Sequence, residues 1–164
     1  QALLPHLARA PQARVVFVGS ALGRIGLPGF ALYGASKAGL HGFAEALRRE
    51  WADTNIRVQI LAPRSTRTAF NSPAVTAYNE ATGAAMDSPQ DVAQALLDLL
   101  EGGHAERFMG WPERLAVRLN GWAGPLLDSV FRKHSRYLNQ IAPTPTPTHS
   151  SKPTPTPAPS RSPS

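Results

Sequence analysis

Residues 14–39 read RVVFVGSALGRIGLPGFALYGASKAG. The first seven form a short β-branched and aromatic run that stops at Gly19 and Ser20, the composition of a strand buried on both faces. Gly23, Gly26, Pro28 and Gly29 then punctuate a loop. From about Leu32 to Ala52 the pattern turns helical. Leu40, Phe43, Leu47 and Trp51 recur at three- and four-residue steps, which predicts an apolar stripe facing a core. A buried strand, a loop and an amphipathic helix in immediate succession is the unit from which parallel sheets are built.

The same alternation continues on both sides. Residues 2–9 read as the end of a helix. NIRVQILAP (55–63) is a second buried strand, and residues 64–87 are small, polar and irregular. SPQDVAQALLDLLEGG (88–103) opens with Ser88 as N-cap and Pro89 at the first helical position, and stops at Gly102 and Gly103. ERFMGW (106–111) is a third short strand. Pro112 to about Gln140 is again helical, interrupted by Gly121, Gly124 and Pro125. Near-continuous apolar strands alternating with helices predict an α/β fold whose parallel sheet is covered on both faces and wound right-handedly.

Composition sets the limits. Of 164 residues, the stretch from Pro143, PTPTPTHSSKPTPTPAPSRSPS, holds half of the sixteen prolines and no apolar side chain larger than Ala. It is expected to be a disordered, polyproline-leaning tail. With no cysteine, neither a disulfide framework nor a thiolate metal site can form. His6, His41, His104, His134 and His149 show no ligand spacing and read as surface histidines. The net charge of +6 comes from 17 basic and 11 acidic residues. The basic ones are scattered and not interleaved with aromatics, which argues against a nucleic-acid partner. Apolar runs fall far short of the ~18 residues of a spanning helix. The opening QALLPHLARA has no signal-peptide pattern and reads like the middle of a longer chain.

The loop invites a nucleotide reading that its spacing refuses. Gly19, Gly23 and Gly26 do not follow the G-x-G-x-x-G spacing of a dinucleotide-binding turn, and Leu27, Pro28 and Gly29 stand where a helix should open. The loop is expected to position Ser20 instead. Tyr33 and Lys37, one turn apart at the start of a helix, share a face. A free phenol titrates near pKa ~10, and a neighbouring ammonium favours its ionised form, which brings it towards the range where acid–base work is efficient. Ser20 ends a parallel strand at its carboxyl edge, where open α/β sheets bind ligands. A hydroxyl there can share charge developing on a substrate oxygen. The chemistry these groups suit is proton transfer to or from a carbon-bound oxygen.

With VVFVGSALGRIG, YGASKAG, EALRREW and IRVQILAPRSTRTAF in place, residues 1–112 resemble the C-terminal part of a classical short-chain dehydrogenase/reductase. The resemblance implies the second half of a Rossmann-type doubly wound parallel sheet and an NAD or NADP cofactor. It implies an alcohol/carbonyl pair as small-molecule substrate. Under it Ser20 orients the substrate and Tyr33 is the general acid/base. Lys37 lowers the tyrosine's pKa and holds the nicotinamide ribose. The family's Pro-Gly-x-x-x-Thr element maps onto Pro63, Arg64 and Thr68, with Thr68 at the carboxamide and the backbone near Thr66 assisting. Arg64 stands where the family has glycine, and would be strained if that position needs a positive φ.

The family's glycine-rich phosphate turn, Asn-Ala-Gly element and catalytic asparagine precede the matching region. A fragment lacking the N-terminal cofactor-binding half is therefore expected, poor in nicotinamide binding on its own. The expected divisions are 1–112 for the Rossmann-type half, 113–142 for a helical extension and 143–164 for the tail. The resemblance implies that the 32–52 helix forms a subunit interface, and so a homo-oligomer in the full-length protein. Residues 65–88 are expected to form a substrate lid for an uncharged, moderately apolar substrate. The basic amphipathic stretch 112–140 is expected to pack on its own domain rather than on a membrane surface. The expected compartment is the cytoplasm. Two alternatives stand beside the oxidoreductase: a catalytically inactive scaffold, and an extended-type epimerase or dehydratase, for which the sequence after the second strand is short.

Overall fold

The computed structural model of the chain describes residues 2–69 and 71–141; the expected tail at 143–164 lies outside them. In chain order the elements are α1 (Leu4–Arg9), β1 (Ala13–Val18), α2 (Ala31–Glu50), β2 (Ile56–Ala62), β3 (Ser65–Thr66), α3 (Pro73–Thr82), β4 (Met86–Asp87), α4 (Pro89–Gly102), β5 (Glu106–Phe108), α5 (Trp111–Leu127) and α6 (Arg132–Ile141). Short 3-10 turns occupy Ala21–Gly23 and Asp128–Phe131.

The main sheet has the order β1-β2-β5, all parallel. Val18 is level with Leu61, and Ala62 with Phe108. The three strands therefore end together, and the loops carrying Ser20 and Pro63 leave from one edge. The central strand is buried on both faces: of its seven residues only Arg57 is exposed, as a strand covered by helices on both sides should be. On one face Val58 and Ile60 pack with Ala44 of α2, against Phe17, Leu47 and Trp51. On the other Leu61 packs with Ala95 and Leu99 of α4 and with Met109. Ile60, Leu61 and Leu99 are among the most deeply buried side chains, each contributing roughly 1.5–3 kcal/mol by leaving water.

Polar groups close the seams. Gln59 is buried on the α4 side, and its Nε2 donates to the carbonyls of Leu99 (2.9 Å) and His104 (2.8 Å), satisfying an acceptor at the end of α4 that the helix itself leaves open. The start of α4 is the capping box its sequence allows. The Ser88 hydroxyl accepts from the Asp91 N–H at 3.0 Å, and the Asp91 carboxylate accepts from the Ser88 N–H at 3.1 Å.

Three expectations need correction. The segment 64–87 is not irregular throughout: it holds α3, whose Ser72 caps the Val75 N–H and whose C-terminus is Gly83 at φ 70°, between strands β3 and β4 that pair in parallel. Only part of the expected α2 stripe faces the core: Leu47 and Trp51 pack there with Ala44 and His41 is buried on the same helix, whereas Phe43 is half exposed, meeting Phe17 edge-on at 5.8 Å. His41 is not a surface histidine but 1% exposed. The interruption in the last helical stretch falls at Ala123 (φ −137°, ψ 34°), two residues before Pro125, which lacks the N–H a continuing helix needs. No described helix is long and apolar enough to cross a membrane.

Candidate functional site

One face of α2 carries Tyr33, Lys37, His41 and Glu45, a polar residue at every fourth position. The 3-10 turn at Ala21–Gly23 lies against this helix. A β-carbon at Gly23 would stand 2.9 Å from the carbonyl carbon and oxygen of Lys37, and one at Gly34 would stand 3.2 Å from the Leu22 oxygen. Turn and helix thus approach backbone to backbone, which side chains at these positions would obstruct. That contact, not a phosphate cradle, is what Gly23 and Gly34 serve.

It places Ser20 beside the start of α2. Ser20 is mostly buried, in extended conformation, and its Oγ accepts from the Leu22 N–H at 3.2 Å, capping the turn. The hydroxyl keeps its own proton for a further acceptor. Lys37 Nζ donates to the carbonyl of Val18, the last residue of β1, at 3.2 Å, and lies 5.7 Å from the centre of the Tyr33 ring. Tyr33 is 44% exposed, and among the described residues its phenol makes no hydrogen bond. The structure therefore brings Tyr33 and Lys37 together at the carboxyl edge of the sheet and sets Ser20 on the adjoining turn. No hydrogen bond joins Ser20 to Tyr33.

Pro63, Thr66 and Thr68 follow the neighbouring strand end. Thr66 Oγ1 donates to the Arg64 carbonyl at 3.3 Å, and Asn71 Nδ2 donates to the Thr66 carbonyl at 2.6 Å. Thr68 is exposed, its carbonyl accepting from the Asn71 N–H at 3.1 Å. The feared strain at Arg64 is absent: among the described residues no non-glycine has a positive φ. Its guanidinium instead forks onto Asp87, Nε lying 3.1 and 3.2 Å from the two carboxylate oxygens and Nη2 also bonding. Nη1 lies 3.7 Å from Glu113. Hydrogen bonding to Asp87 raises the Arg64 pKa above its ordinary value. This pair ties the start of the 65–88 segment to its end. Within that segment Tyr78 is buried, its ring 5.2 Å from Phe30 and 5.8 Å from Tyr137 of α6; burial pushes its phenol up.

The residue that sequence reasoning missed is His41. Its Nε2 lies 3.1 Å from the Ser20 carbonyl, and its ring stacks on Phe108 at 5.7 Å and 18°. Burial, then the positive charge of Arg24, holds its pKa below the ordinary value. Arg24 in turn pairs with Glu106 at 3.0 Å and Glu45 at 3.7 Å. The four-residue step that joined Tyr33 to Lys37 points to His41 when continued once more.

Residues 1–79 match the family model described as short chain dehydrogenase. Over 144 residues the chain is 36% identical to Dehydrogenase/reductase SDR family member 7B of Bos taurus, covering 83% of this chain and 44% of that protein. It is 40% identical over 89 residues to Carbonyl reductase family member 4 of Xenopus laevis, covering 53% and 38%. A short chain dehydrogenase from Burkholderia cenocepacia J2315, solved in complex with NADP, is alike with TM-score 0.65 and 25% identity, over 79% of this chain and 51% of that one. The chain spans less than half the length of these two curated relatives. In sequence and in its α/β, Rossmann-like fold it is similar to the short-chain dehydrogenases/reductases, a family of oxidoreductases.

Proposed function

We propose that the chain is the carboxyl-terminal half of an NAD(P)-dependent short-chain dehydrogenase/reductase that interconverts an alcohol and a carbonyl. The observation that carries the reading is the Tyr33–Lys37 pair, held at the carboxyl end of β1 beside the turn that bears Ser20. In this reading Tyr33 passes a proton between its phenol oxygen and the substrate oxygen. Lys37, anchored on the Val18 carbonyl, stabilises negative charge on that phenol oxygen as the proton leaves. The Ser20 hydroxyl donates to the substrate oxygen and shares its charge in the transition state.

The residues fit one end of a nicotinamide dinucleotide. Lys37 offers donors for ribose hydroxyls. Pro63, Thr66 and Thr68 follow the end of β2, the strand next to β1, and the threonines offer hydroxyls to an amide. Among the described residues no strand–glycine–helix turn offers a cradle for the pyrophosphate, so the isolated chain binds the dinucleotide poorly. When bound, the nicotinamide supplies or accepts the hydride that this chain's own groups cannot. The open face of α2, where Leu32 is exposed and Gly39 and Gly42 meet nothing, suits a second copy of the enzyme.

The test is turnover of the complete enzyme on a panel of aldehydes and ketones, followed by loss of nicotinamide absorbance. The wild type is expected to turn over while Tyr33→Phe does not. A Tyr33→Phe enzyme with wild-type turnover would overturn the assignment.

A further inference from the structure

We propose that His41 is a positioning residue for this site: its Nε2–H holds the Ser20 carbonyl, and through that peptide it fixes the aim of the Ser20 hydroxyl. The proposal rests on the dehydrogenase reading above.

Ser20 lies just past the last ladder bond of its strand. The Gly19 N–H still donates to the Leu61 carbonyl at 2.7 Å, but the sheet holds nothing beyond it. The Ser20 carbonyl then accepts twice. The Gly23 N–H reaches it at 3.0 Å and closes the turn, and His41 Nε2 reaches it at 3.1 Å from within the core. A carbonyl can only accept, so Nε2 carries the proton and Nδ1 does not. Nδ1 is buried and makes no hydrogen bond of its own, so the ring's whole polar reach is spent on Ser20.

The surroundings are shaped to the ring. A β-carbon at Gly19 would stand 2.6 Å from His41 Nε2, and one at Gly23 would stand 2.7 Å from its Cδ2. Two glycines thus flank the imidazole, and Phe108 stacks on it. With Phe108 on one side and the bare backbone of Ser20's own turn beside it, the ring has one place to sit. The Ser20 side chain is meanwhile tied to the Leu22 N–H. Held at both its carbonyl and its hydroxyl oxygen, Ser20 keeps a single orientation towards the helix that carries Tyr33. His41 faces backbone rather than the open side of the site, so it acts through Ser20.

Two measurements test this. Nitrogen-15 correlation spectra of the labelled chain report the tautomer, and a neutral ring protonated at Nε2 is expected; a ring protonated at Nδ1 overturns the proposal whatever the enzyme does. In the complete enzyme, His41→Leu keeps the volume and removes the donor, and His41→Gln restores an N–H at similar reach. Misplacing a reacting group costs on the order of tenfold to a hundredfold in kcat, which is the expected loss for His41→Leu, with cofactor KM changed by less than about twofold. His41→Gln is expected to recover most of it. Equal loss in both variants, or kcat preserved in His41→Leu, overturns the proposal while an active wild type leaves the dehydrogenase reading standing. A wild type without oxidoreductase activity overturns both.

Discussion

Gly23 approaches Lys37 so closely that a β-carbon on it would lie 2.9 Å from the lysine's carbonyl carbon and oxygen. The obstacle is helix backbone, which has no rotamer to yield. Gly23→Ala must therefore part the turn from α2, at a cost of about 1–3 kcal/mol, the usual range for overpacking. Gly26 has nothing within 4 Å of its virtual β-carbon, so Gly26→Ala is expected to be silent within about 0.5 kcal/mol. Urea denaturation of the two variants checks the contrast. Equal midpoints would show that the turn is not seated on the helix.

Tyr33→Phe tests chemistry with little structural disturbance. The phenol is 44% exposed and, among the described residues, unbonded, so its removal should change stability by less than about 0.5 kcal/mol. Under the proposed function it removes the acid/base, which is worth on the order of a hundredfold to ten-thousandfold in turnover. Activity lost together with folding would point to a structural tyrosine instead.

The three strands of the main sheet and α4 were legible because their signals are local. β2 is rich in β-branched and aliphatic residues, with only Arg57 and Gln59 among them, and Ser88, Pro89 and Gly103 mark both ends of their helix within its own sequence. α3 carries the same Ser-Pro start and glycine stop, but Val75 and Tyr78 alone make too thin a stripe to announce a helix. The Tyr33–Lys37 pair was legible as a spacing of four. His41 was not, because a single histidine has no period until it is set in line with the two residues before it. Arg64 and Asp87 lie 23 positions apart, and no periodicity links partners joined only by the fold.

That pair predicts an order of effects. Asp87 is more deeply buried than Arg64. Arg64→Met would leave its carboxylate in the interior with no cation, at a cost of about 3 kcal/mol. Asp87→Asn leaves Arg64 partly exposed with Glu113 still 3.7 Å away, and should cost only about 1–2 kcal/mol. Urea denaturation of both variants tests the ranking, and a reversed order would mean that the guanidinium is the less solvated partner. Since Thr66 and Thr68 lie in the segment this pair closes, both variants should also raise cofactor KM in the complete enzyme.

The last prediction concerns pH. His41 has its folded pKa below the ordinary imidazole value of 6.5, chiefly because burial disfavours the charged ring. The charged groups around it divide. Arg24 from the turn and Lys37 from α2 oppose a further positive charge, whereas Glu106 from β5 and the Ser20 carbonyl favour it, and Glu45 of α2 is engaged with Arg24. Above about pH 7.5 the ring is neutral in both states and adds no slope. As pH falls below that, the unfolded chain takes up the proton first, so folding loses stability until the folded ring also protonates. The midpoint of urea denaturation should therefore drop between about pH 7 and pH 5 more steeply in the wild type than in His41→Gln, whose amide does not titrate. Carboxylates that titrate below this range are common to both proteins and cancel in the difference. Parallel curves would mean that the ring protonates as readily in the fold as in the unfolded chain, and that its burial does not disfavour the charged form.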